Sequence, residues 1–185
     1  MKAVIACILG CLILAISYSS ASAADNFYLI GPGDVLEISV WNEPDLSKEL
    51  IVPPDGVISF PLIKPIQVTN LTISALKKTV TKKLSEYIPD ATVTVLLVEI
   101  NSLKAYVIGK VKQAGEYPID LKTSVLQILA KAGGLTPFAS DGNIKILRQK
   151  NNKIINIPFD YGEVEDGKNL EQNIVLKAGD VVLVP

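Results

Sequence analysis

The chain of 185 residues carries 18 Lys and Arg against 19 Asp and Glu, a formal net charge of −1, and no histidine. The missing imidazole removes the commonest general base, the base of a serine triad and the usual zinc ligand, which excludes most hydrolase mechanisms. Balanced charge without a concentrated basic block argues against a nucleic-acid partner and suits a neutral or mildly charged ligand such as a glycan.

Met1-Lys2 is followed by an apolar run from Ala3 to Ile16 and then by small and polar residues ending in Ala21-Ser22-Ala23. That order predicts a secretory signal peptide over residues 1–23, cleaved after Ala23, because the run is shorter than the roughly 20 residues a spanning helix needs. A competing lipobox, Ile8-Leu9-Gly10-Cys11, is the weaker reading: little apolar sequence precedes Cys11, and the residues after it stay greasy. Both cysteines, Cys7 and Cys11, fall inside the expected leader, so the mature chain is expected to hold no thiol, disulfide or cysteine metal site.

Beyond the leader, a Gly31-Pro32-Gly33-Asp34 turn precedes Leu36, Ile38 and Val40, which alternate with Glu37 and Ser39 as in a half-buried strand. Asp55-Gly56 separates Leu50-Ile51-Val52 from Val57-Ile58-Ser59-Phe60 and predicts a hairpin. Ile73, Leu76, Val80 and Leu84 recur at helical spacing among lysines 77, 78, 82 and 83, which predicts an amphipathic helix from Thr72 to Tyr87, stopped by Pro89. A buried strand is expected over Ala91 to Ile100.

A second unit starts after Asn101-Ser102 with strands at Ala105–Val111, containing Gly109, and around Tyr117-Pro118-Ile119 after Gly115. Its helix is expected from Ser124 to Ala132, burying Val125, Leu126, Ile128 and Leu129, with Gly133 ending it. Asn151-Asn152 predicts a hairpin between Ile144–Leu147 and Ile154–Ile157, and Gly179-Asp180-Val181-Val182 repeats the theme of Gly33-Asp34-Val35-Leu36 as a turn feeding a strand. The expected architecture is α+β, with two small domains over residues 24–101 and 102–185.

Chemistry is sparse. Glu163, Glu165 and Asp166 are candidates for a carboxylate pair, but acidic residues beside Gly162 and Gly167 read better as a solvated turn. Asp160-Tyr161-Gly162 fails the ligand spacing of a calcium loop, and the clusters Gly31-Pro32-Gly33 and Gly133-Gly134 lack the context that cradles a phosphate. Asp34, Asp55 and Asp180 each sit beside a glycine at a strand entry, where a carboxylate accepts turn amides. Trp41, Tyr106, Tyr117 and Phe138 could stack on sugars but read first as packing residues. No catalytic, metal or cofactor residue is assigned, and the positions that contact a glycan stay unassigned.

Ile30-Gly31-Pro32-Gly33-Asp34-Val35-Leu36 with Val40-Trp41, followed by Val52 to Pro61 around Asp55-Gly56, resembles the N-terminal domain of bacterial outer-membrane polysaccharide export proteins. Ala105 to Ile119, the run Val125 to Ala139 with Gly133-Gly134, and Gly179 to Pro185 are similar to the soluble-ligand-binding β-grasp domain that follows it in that family. Lys64 and Ala114 depart from the family's pattern at two turns. The resemblance implies a non-catalytic, ring-shaped homo-oligomer in the periplasm, associated with the outer membrane, that passes exopolysaccharide or capsule. It also implies an inner-membrane co-polymerase partner. Since no membrane-crossing helix is expected after Ala23, a short form that hands its polymer to a separate outer-membrane channel is expected. A monomeric periplasmic glycan-binding or sensing module is the rival reading.

Overall fold

A computed structural model describes residues 27–151 and 153–185; the expected leader, its cleavage point and both cysteines lie outside the described residues. The alternation that begins at Val35 folds as strand β1, Val35–Val40, with Leu36, Ile38 and Val40 buried. It is the middle strand of a three-stranded antiparallel sheet, flanked by β2, Glu43–Ile51, and β5, Val93–Glu99. Helix α1, Ile73–Leu84, closes one side: Leu76, Val80 and Leu84 are wholly buried in one cluster with Leu36, Ile38 and Val93. Thr72 caps the helix, its hydroxyl accepting from the Ala75 amide at 3.1 Å. β5 buries Val93 and Val95 while Thr94, Leu96 and Val98 stay exposed, so the expected buried strand is buried on one face alone.

The hairpin expected across Asp55-Gly56 does not form. Its turn does, the Gly56 amide donating to the Pro53 carbonyl at 2.8 Å, but β3, Val57–Ile58, pairs with β4, Ile66–Gln67, rather than with residues 50–52. Pro53 and Pro54 bring no N–H to a ladder, and Val52 already donates to the Asp34 carbonyl and accepts from the Gly33 amide, each at 2.8 Å. Residues 50–51 instead end the nine-residue β2, whose polar exposed sequence hides an edge strand.

The second layer is a five-stranded sheet in the order β7-β6-β10-β8-β9. Its strands are β6 (Lys104–Gly109), β7 (Gly115–Pro118), β8 (Ile144–Lys150), β9 (Lys153–Phe159) and β10 (Val181–Val184). The last strand inserts at the centre, parallel to β6 and antiparallel to β8. Helix α2, Val125–Lys131, buries Val125, Ile128 and Leu129 against Val107, Ile146 and Val182, leaving Leu126 half-buried. β8 and β9 pair from Ile144↔Phe159 to Lys150↔Lys153, the hairpin expected at this point of the chain, and Asn151 adopts φ 51°. A short helix α3, Tyr161–Glu165, follows. The chain is thus an α+β protein with two separate cores. No described helix is long and apolar enough to cross a membrane.

Leu84 is 0% exposed at the end of α1. Leu84→Asp removes a buried leucine worth about 2–5 kcal/mol and adds a desolvated charge, against typical domain stabilities of about 5–15 kcal/mol. Loss of the cooperative melting of the first core is expected; an unchanged melt by circular dichroism would contradict this packing.

Candidate functional site

The residues between the two cores converge on one carboxylate. Asp34 stands at the start of β1, wholly buried. Its Oδ1 accepts the amides of Asn101 at 3.0 Å and Ser102 at 2.9 Å, the two residues that link β5 to β6. Its Oδ2 accepts the Gly31 amide at 2.7 Å, the Ser102 hydroxyl at 3.2 Å and the Tyr28 hydroxyl. The Asn101 side chain adds a bond to the Gly33 carbonyl at 3.1 Å. A carboxylate buried this way is stabilised by charge-assisted bonds rather than by solvent, and its donors come from the turn, from Tyr28 just before it and from the linker.

The turn makes this possible. Gly31 leaves room for the linker, since a β-carbon there would lie 2.5 Å from that of Ser102. Tyr28 closes the site, and its phenol is pushed well above the usual 10.0, first by burial and then by its bond to Asp34.

Asp180 repeats the device in the second layer. The Lys177 amide donates to Asp180 Oδ2 at 2.8 Å, three residues back as Gly31 is from Asp34. Here the linker amides are replaced by Arg148, whose Nε and Nη2 lie 2.9 Å from Oδ1 and 2.6 Å from Oδ2. Nη2 also donates to the Val175 carbonyl at 3.1 Å, so the pair ties β8 to the segment entering β10.

Between the layers lies an open cleft, with Tyr28, Leu29 and Pro32 on one side and Leu121, Val175 and Lys177 on the other. Asp120 lies at its rim. The Lys122 amide at 2.7 Å and the Thr123 hydroxyl at 3.0 Å hold its carboxyl below the usual range, so it is an anionic acceptor rather than a proton donor. The cleft combines apolar walls with a few polar groups, an arrangement that can bind a ligand.

The other expected positions fall elsewhere. Asp55 accepts the Val57 amide at 3.1 Å in an exposed turn beside Gly56. Gly109 ends β6 at φ 96°, where a β-carbon would collide with the Val184 carbonyl. Gly115 opens β7, Gly133 and Gly134 follow α2, and Gly179 precedes Asp180.

Glu163 and Glu165 lie on α3, while the expected solvated turn forms just after it, at the exposed Asp166 and Gly167. Asp160 accepts the Glu163 amide at 3.0 Å and starts α3, Glu163 accepts from Asn169 at 2.8 Å and Gln172 at 3.0 Å, and Asp166 pairs with Lys168 at 3.0 Å. None of the three lines the cleft, and no group of metal-binding residues occurs among the described residues. The expected packing role of the aromatics also fails for two of them: Trp41 is 75% and Phe138 81% exposed. Both sit in turns, where strand alternation does not dictate a face. Tyr117 packs on the second core, whereas Tyr106 is partly exposed.

Tyr28, Ser102 and Arg148 escaped the sequence reading. A buried Asp beside a glycine signals that donors exist without saying where, and all three lie 6 to 74 positions from the groups they meet.

The profile for polysaccharide biosynthesis/export proteins matches residues 22–98 and that for the SLBB domain matches residues 104–158, on either side of the linker clamped by Asp34. The chain belongs to the polysaccharide export protein family. It is 33% identical over 111 residues to the polysialic acid transport protein KpsD of Escherichia coli, covering 60% of this chain and 20% of that protein. It is 26% identical over 182 residues to the EPS I polysaccharide export outer membrane protein EpsA of Ralstonia solanacearum, covering 85% of this chain and 47% of that one. With the capsule polysaccharide export protein BexD of Haemophilus influenzae the identity is 29% over 173 residues, covering 83% and 42%. The chain thus spans less than half the length of these curated relatives.

Asp34→Ala removes an acceptor shared by two linker amides, and hydrogen bonds to charged groups contribute about 1.5–3 kcal/mol each. A destabilisation of about 3 kcal/mol or more is expected, with new protease cleavage at Asn101-Ser102 and two thermal transitions replacing one; resistance equal to wild type would contradict the clamp.

The raised Tyr28 pKa sets an alkaline limit. Its contribution is complete below the unfolded value near 10 and is lost as pH rises from there toward the folded value, because only the unfolded phenol then ionises. Urea melts from about pH 9 to 11 should show wild type losing stability more steeply than Tyr28→Phe; parallel curves would count against the buried phenol.

Proposed function

We propose that this chain is a non-catalytic subunit of a conduit for exopolysaccharide or capsule export. On this reading it is exported behind a signal peptide cleaved after Ala23 and folds as domains over residues 24–101 and 102–185. It assembles as a ring of identical copies on the periplasmic side of the outer membrane. An inner-membrane co-polymerase supplies the polymer, and a separate outer-membrane channel receives it.

The observation that carries this reading is the Asp34 junction, where the carboxylate that shapes the export-type turn also holds the linker to the SLBB-type layer. A conduit has to keep its walls in register while a long polymer moves past, and a buried clamp between its two layers serves that need. The absence of catalysis is supported by the lack of histidine and by the engagement of the two buried aspartates in structural bonds. The relatives are named for transport and export of polysaccharide, which supports the same cargo class here.

Deleting the gene should leave polymer retained inside the cell, and re-expression should return it to the surface. The purified protein, incubated with liposomes holding an oligosaccharide, should release none of it unaided. Normal surface polymer in the deletion strain would contradict the export role, and leakage by the protein alone would contradict the separate channel.

A further inference from the structure

The first layer has two outward faces, and each carries an electrostatic conflict that the single chain leaves unresolved. On the outer face of its sheet, cross-strand register places Glu37 directly opposite Glu49. Like charges facing each other across an antiparallel pair are unfavourable. Glu99 lies on the same face, opposite Val35, while the neighbours are the exposed apolar Leu96, opposite Glu37, and Ile51, opposite Val35. No lysine or arginine is among the residues this register places there.

The opposite side of the layer is the outward face of α1. Leu76, Val80 and Leu84 point into the core, which leaves Lys77, Lys78 and Lys82 exposed and Lys83 half-buried. The helix contains no acidic residue. Lys78 and Lys82 stand one turn apart, a spacing at which like charges again oppose each other. The ion pairs found among the described residues, Lys104–Glu116, Arg148–Asp180 and Lys168–Asp166, involve none of these groups.

We propose that the acidic, partly apolar sheet face of one copy docks on the lysine face of α1 in the next copy. The proposal rests on the ring reading above and names its contact. Both charge pairs have matching spacing, about 5 Å across a strand pair and about 5–6 Å along a helix turn, so one contact can neutralise both. The contact joins two different surfaces, which is the head-to-tail geometry that generates rings when its rotation closes. A membrane surface is disfavoured as the occupant of the lysine face, because Leu76, Val80 and Leu84 are buried and Ile73 packs partly against the same core, which leaves no apolar stripe beside the lysines. An acidic glycan would account for the lysines but would leave the glutamate pair unanswered.

Native mass measurement and analytical ultracentrifugation of the purified exported protein test the contact. Two variants are compared with wild type: Glu37→Lys with Glu49→Lys, and Lys78→Glu with Lys82→Glu. All four positions lie outside the buried cores, and circular dichroism checks that each variant folds.

Each variant alone should self-associate about 100-fold more weakly, as expected where like charges are brought together at an interface. An equimolar mixture should reassemble with the two variants alternating. Wild-type assembly should also weaken as salt rises, which needs no variant at all. Variants that assemble like wild type would overturn this contact and leave the ring standing. A wild-type protein that stays monomeric at every concentration would overturn the ring and the contact together. Normal assembly of the lysine variant with lost retention on polygalacturonate would assign that face to an acidic glycan and overturn the proposal.

Discussion

The rest of the structure depends on a carboxylate taken out of water. Removing an ion from solvent is costly unless its lone pairs are met, and Asp34 meets them with three backbone amides and two hydroxyls drawn from three separate stretches of chain. Because the amides come from the turn at Gly31 and from the linker at Asn101 and Ser102, the same charge shapes the entry to β1 and fixes where the second layer begins. The cleft between the layers inherits its walls from this arrangement, with Tyr28 on one side and the segment around Lys177 across from it.

Asp180 shows the alternative solution to the same problem. Both aspartates close a turn by accepting an amide three residues earlier, and both follow a glycine at positive φ, 90° at Gly33 and 81° at Gly179. In the second layer the compensating charge is Arg148, which is geometrically suited to a bidentate bond. The linker-facing aspartate uses dipoles instead. Backbone amides cannot rearrange as a long side chain can, so a junction built from them holds one geometry.

Much of this fold was legible in local pattern. Apolar spacing placed α1 and α2, alternation placed β1, the Asn151-Asn152 signal placed β8 and β9, and the glycine beside each aspartate marked both turns. What escaped was governed by non-local pairing. β2 is a polar edge strand whose partner is set by β1, and the two prolines before Asp55 move β3 to a partner downstream. The candidate site was half legible for a similar reason. Asp34 and Asp180 announce that they accept hydrogen bonds, but Ser102 lies 68 residues from Asp34 and Arg148 lies 32 from Asp180, beyond the reach of any periodicity. Trp41 and Phe138 mark the opposite limit, where residue type suggests burial and the turn exposes the ring.

The central claim, that Asp34 holds the linker as part of the folded body, is tested most directly by native-state hydrogen exchange at two amides. If the claim holds, the Asn101 and Ser102 amides exchange only through global unfolding, with the same free energy as core amides of β1 and β6. Exchange of those two amides at rates near those of an unfolded chain, while both cores remain protected, would contradict it.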